Sequence, residues 1–225
     1  MTSRAAESST ATAERLRPRL RGVFHQYAFL GFAALGVALV ATAPTGTARA
    51  AAVIFGGSVV VTFGVSALYH RVTWRPTTRR LMRRLDHSAI FLLIAGTYTP
   101  YGLLVLAGAW RFSVLAVVWI GAALGIAQSL LWVDRPKWLT AALGIALGWA
   151  GIVAFPQILD ATGSVGAALL LAGGVLYTLG AVVYAFSRPD PAPAVFGYHE
   201  LFHVLTILAA AAQYAAIAFF VLPAA

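Results

Sequence analysis

The chain has 225 residues, of which 60% are hydrophobic and 10% charged, with a net charge of +9 and no cysteine. A water-soluble domain of this length needs a polar surface that such a composition cannot supply. The absence of cysteine excludes disulfides and thiolate metal sites. The basic excess, with no basic–aromatic stripe or nucleic-acid motif, marks a membrane face and its anionic lipids rather than a nucleic-acid partner.

Long apolar runs recur along nearly the whole chain, which predicts an all-α, polytopic membrane protein. Residues 1–20 are rich in Ser, Thr, Ala and Arg and read as a disordered, basic cytoplasmic tail. One transmembrane domain over residues 21–225 follows. Its spans are expected at about 24–43, 51–70, 85–107, 110–132, 138–155, 164–186 and 199–222. Ala48-Arg49-Ala50 resembles a signal-peptide cleavage site. The run ahead of it is longer than the ~7–15 residues of a signal-peptide core, so a retained first span is expected.

Pro44-Thr45-Gly46 breaks the chain after the first span, and a strongly basic loop from Arg71 to Arg84 follows the second. Pro100 lies within the third span, where it frees a carbonyl and should kink the helix. Gly144, Gly148 and Gly151 in the fifth span read as helix-packing residues. No internal repeat is apparent. With seven spans, every Lys and Arg except Arg49 and Arg111 falls on one side. The positive-inside rule therefore makes the N-terminus cytoplasmic and the C-terminus external. Trp74, Trp110, Trp132 and Trp138 fall near the interfaces.

Ionisable side chains within spans are costly and are functional candidates by default. His199 and His203 stand four apart at the start of the seventh span, one above the other on one helical face. His70 ends the second span and Asp86 begins the third, so topology brings all four to one depth at the cytoplasmic edge. Three imidazoles make an open zinc site whose fourth position is left to water, and zinc lowers the pKa of that water to about 7. Asp86 is positioned to accept its proton. Ser66, one turn deeper than His70, can bond to a group beside the metal. His87 points about 100° away from Asp86 and reads as an outer or interfacial residue. His25, opening the first span, reads as an interfacial polar group.

His199-Glu200-Leu201-Phe202-His203 also fits H-E-x-x-H, in which a zinc protease uses the Glu as general base. An intramembrane metalloprotease of that type is expected to take a third ligand from a downstream Asp. No Asp, Glu or His follows His203, so the third ligand must come from upstream.

Ser66-x-x-x-His70, Arg84-Leu85-Asp86-His87-Ser88-Ala89-Ile90 with Ala95-Gly96-Thr97-Tyr98-Thr99-Pro100, and His199-x-x-x-His203 resemble the three signatures of hemolysin III proteins. These are the bacterial branch of the progestin and adipoQ receptor (PAQR) family. The resemblance covers essentially all the spans. It implies a seven-helix fold, zinc on His70, His199 and His203, Asp86 reaching the metal through water, and Ser66 beside it. Relatives in the wider family carry Gln at the place of Glu200 and Tyr at that of His87, which makes both residues secondary for zinc. The resemblance also implies kinship with membrane hydrolases such as alkaline ceramidases.

The leading expectation is therefore a zinc-dependent hydrolase of a lipid amide in the cytoplasmic (inner) membrane, with membrane lipids as partners. A non-enzymatic channel, pore-forming protein or receptor-like regulator with a structural zinc is the alternative, and the protease stands third. No sequence feature specifies an oligomeric state.

Overall fold

The computed structural model describes residues 18–224, so most of the expected tail lies outside the described residues. Within these, the chain is helical apart from turns and one isolated bridge between Ala192 and Phe196. The helices are α1 (Val23–Thr42), α2 (Gly46–Arg71), α3 (Pro76–Leu104), α4 (Gly108–Leu131), α5 (Lys137–Gly148), α6 (Phe155–Phe186) and α7 (Tyr198–Ala216). A 3₁₀ segment, Ala150–Ala154, joins α5 to α6, and a π-helical turn, Ile217–Val221, extends α7.

Local chemistry sets the ends. Thr45 caps α2 by accepting from the Ala48 amide at 3.0 Å, and Pro76 occupies the first turn of α3, where its missing N–H costs nothing. Both helices begin earlier than the apolar runs suggested, because a helix continues past the membrane while hydropathy marks only its apolar part. Residues 18–20, expected in the tail, are ordered. The Arg19 and Leu20 amides donate to the Ala194 and Val195 carbonyls at 3.1 Å each, tying this segment to the loop before α7.

The fifth span departs most from expectation. Helix α5 stops at Gly148, where the Tyr98 hydroxyl donates to the Gly148 carbonyl and accepts from the Gly151 amide. Regular helix resumes at Phe155, so the anticipated loop after it is helical except at Gly163 (φ 66°, ψ 179°), a conformation open essentially to glycine. The chain reverses there. Trp149 Nε1 bonds Thr178 Oγ1 at 2.9 Å and Lys137 Nζ bonds Ser187 Oγ at 2.9 Å, so residues at similar distances on either side of Gly163 lie side by side. Gly144 and Gly148 do not pack against a neighbouring helix: a Cβ on either would meet open space, and both line a cavity. Gly151 does pack, against the Tyr98 ring.

Successive helices are neighbours, and α7 closes the ring against α1. Five stretches are long and apolar enough to cross a membrane: Val23–Thr42, Gly46–Arg71, Gly108–Leu131, Lys137–Phe186 and Tyr198–Val221. Helix α3 is not among them, and it is one of the most inward-facing, burying Ser88, Thr97, Thr99 and Tyr101. Its two buried threonines are satisfied within the helix, Thr97 donating to the Leu93 carbonyl and Thr99 to the Ala95 carbonyl, both at 2.8 Å. Large apolar side chains such as Val37, Phe112, Leu124 and Leu131 point outward. That inverted surface identifies a multi-pass membrane protein.

Candidate metal centre

Helix α2 ends, α3 begins and α7 begins at the same edge of the ring, which is what brings the predicted residues together. One ring nitrogen from each of His70, His199 and His203 lies within 4.8 Å of the others. The Nε2 atoms of His70 and His199 are 3.1 Å apart. Tetrahedral ligation at about 2.0–2.1 Å spaces two ligand nitrogens by roughly 3.4 Å, so this pair already has near-ligand spacing. Three imidazoles, no thiolate and a neighbouring carboxylate suit a zinc ion. The buried His203 Nδ1, without a hydrogen-bond partner among the described residues, suits one too.

Asp86 comes from α3, with Oδ2 3.9 Å from His70 Nε2. It is not among the groups that lie within 4.8 Å of one another, so it stands beside the three imidazoles rather than with them. Ser66 lies one turn below His70 on α2, and with Asp86 it lines the cavity described below. The α2–α3 contact that sets this level is fixed by Thr62, whose hydroxyl reaches the Ala89 carbonyl across the helices at 3.0 Å.

Glu200 and His87 are not gathered into the group. Glu200 is completely buried, but on the other side of α7. One carboxylate oxygen accepts from the Gly197 amide at 2.8 Å, capping α7, and the other pairs with Arg21 Nε at 2.7 Å. The 100° step between adjacent helical residues sends it away from the face its two histidine neighbours share. His87 turns toward α6, its ring edge-on to Tyr184 at 6.5 Å.

His25 is the residue that sequence reasoning misplaced. It is 3% exposed rather than interfacial. Its Nδ1 is 2.8 Å from Ser66 Oγ, and its ring stacks on that of His203, centroids 3.7 Å apart and planes 8° from parallel. A usable signal existed: His25, Phe32 and Leu39 recur every seven residues on the buried face of α1, and α1 starts at the same membrane edge as the other histidines.

From this cluster an elongated cavity of about 170 Å³ extends between α3, α5, α6 and α7. It begins at Asp86 and His203 and reaches Tyr101 and Gln213, whose side chains meet at 3.4 Å. At 1.5 Å per helical residue, that is a run of about 15–22 Å. Its walls are mostly apolar, with Leu93, Ile94, Ile158 and Leu170 among them.

A family model described as Haemolysin-III related matches residues 13–214. The chain belongs to this family. Hemolysin-3 of Bacillus cereus is 34% identical over 200 residues, 88% of each chain. The Hemolysin-3 homolog of Bacillus subtilis (strain 168) is 32% identical over 167 residues, 74% of this chain and 75% of the other. The human Monocyte to macrophage differentiation factor, a PAQR relative, is 24% identical over 168 residues, 73% of this chain and 67% of its own length. The motif resemblance seen in the sequence is thus borne out.

Proposed function

We propose that this chain is a zinc-dependent integral membrane hydrolase that cleaves an amide bond in a lipid. The observation that carries the reading is that Asp86 and His203, one of the three clustered histidines, line the head of a long apolar cavity. Such a cavity suits an acyl chain, held with its carbonyl end at the cluster. His70, His199 and His203 would hold the ion. Zinc, when bound, supplies Lewis acidity that polarises a carbonyl and makes water acidic enough to ionise near neutral pH.

The chain's own groups do the rest. Asp86 Oδ2 accepts a proton from the attacking water and returns it to the leaving nitrogen. Ser66 holds the carboxylate in the orientation this needs, and the apolar walls keep bulk water from the acyl chain. In this reading seven helical limbs cross the cell membrane, with the N-terminus and the basic loops on the cytoplasmic side. Glu200 serves as helix cap and ion-pair partner, which argues against the protease.

A second reading, a receptor-like regulator with a structural metal, draws on one specific observation. The three histidines come from α2 and α7, so an ion would clamp two helices distant in sequence. The regulatory name of the human relative and the lytic name of the bacterial ones belong to those proteins. Zinc analysis of purified protein together with a lipid-amide hydrolysis panel separates the readings. Full zinc with turnover that Asp86→Asn abolishes supports the hydrolase; full zinc with no hydrolysis across the panel leaves the structural-metal reading.

A further inference from the structure

The chain at the start of α1 packs against the candidate centre without supplying any of the three clustered ligands. Gly22 sits against α2 so closely that a Cβ would lie 2.6 Å from His70 Cβ. Arg21 pairs with Glu200 on α7. Between them in space, His25 contacts Ser66 through Nδ1 and covers the His203 ring with its own. We propose that His25 is a positioning residue of this centre, holding Ser66 in place while bracing the His203 ring in its ligating orientation. The proposal rests on the metal-centre reading above.

The hydrogen bond between His25 Nδ1 and Ser66 Oγ, 2.8 Å long and buried, joins α1 to α2 beside the cluster, so neither side chain rotates without losing it. Outer groups of this kind orient ligands and carboxylates, and their loss typically costs about 10–100-fold in metal affinity or activity. The stack adds a second constraint: a ring parallel to that of His203 at 3.7 Å blocks rotation of His203 about its side-chain bonds. A buried histidine kept for packing alone would need neither the shared plane nor the hydroxyl contact.

The test uses cobalt(II), whose visible absorption reports ligand geometry directly. Full-length wild type, His25→Phe, His25→Asn and Ser66→Ala are purified in detergent, stripped of metal and titrated with cobalt. His25→Phe keeps a flat ring against His203 but loses the bond to Ser66. His25→Asn keeps an amide group near the Nδ1 position but loses the ring. Expected results are one cobalt per wild-type chain, affinity lowered about tenfold or more with an altered spectrum in His25→Phe, and partial recovery of affinity in His25→Asn. Ser66→Ala reproduces the His25→Phe change, and the double variant adds nothing further.

Wild-type affinity and spectrum in both His25 variants would overturn the proposal while leaving the metal centre standing. Failure of wild type to take up cobalt overturns the metal-centre reading itself, and this inference with it. If His25→Phe does not elute as a single species, Ser66→Ala decides the matter, because a wild-type spectrum there removes the role proposed for the His25–Ser66 bond.

Discussion

Glu200 follows a histidine in a pattern that zinc proteases use for their general base, yet both of its oxygens are engaged elsewhere, one by the Gly197 amide and one by Arg21. Glu200→Gln keeps an acceptor for the cap and is expected to leave metal content intact and any hydrolysis within about tenfold of wild type. A protease base would lose about 100-fold or more on that change. Glu200→Ala removes the cap and strands Arg21, and breaking a buried ion pair costs about 3–5 kcal/mol. It should lower the midpoint of thermal unfolding in detergent. Asp86 makes the opposite prediction. Asp86→Asn preserves shape and leaves metal content unchanged, while a hydrolysis assay should fall by about 10²–10⁴-fold. The two substitutions, assayed side by side for metal and turnover, assign the proton-transfer role to one carboxylate or the other.

At the scale of elements, two glycines do what no other residue could. Gly22 combines a positive φ of 76° with direct apposition to His70, so it admits α1 to the site. Gly22→Ala pushes on His70, and a metal titration should show weakened binding even though neither residue has changed its chemistry. Gly163 is the complementary case, with nothing within 4 Å of a Cβ. Gly163→Ala therefore isolates backbone strain, expected at about 1–3 kcal/mol and readable as a lower unfolding midpoint with unaltered metal stoichiometry. The hairpin at Gly163 also explains why Lys137–Phe186 forms one 50-residue apolar stretch. A single bend suffices where the sequence suggested a loop.

For the whole molecule, the candidate ligands would join α2 to α7, two helices far apart in the chain. An ion bound there stabilises the folded state by about 2.7 kcal/mol at a hundred times its dissociation constant. Chelation should therefore lower the unfolding midpoint of wild type, zinc should restore it, and His203→Ala should respond to neither. Equal zinc content in wild type and His203→Ala would remove the metal centre from this fold. The helical class, the membrane setting, the family and the residues of the three motifs were all legible in the sequence. Apolar composition and charge bias report on the solvent around a helix, and spacing of four reports on its faces. The broken fifth limb, the roles of Glu200 and Arg21, and the burial of His25 were decided by tertiary structure. Which side of a helix meets which neighbour depends on packing across the ring, and no local pattern encodes it. His25 shows the boundary: its place along α1 could be read from the chain, but its partners, Ser66 on α2 and His203 on α7, come within bonding distance only when the ring closes.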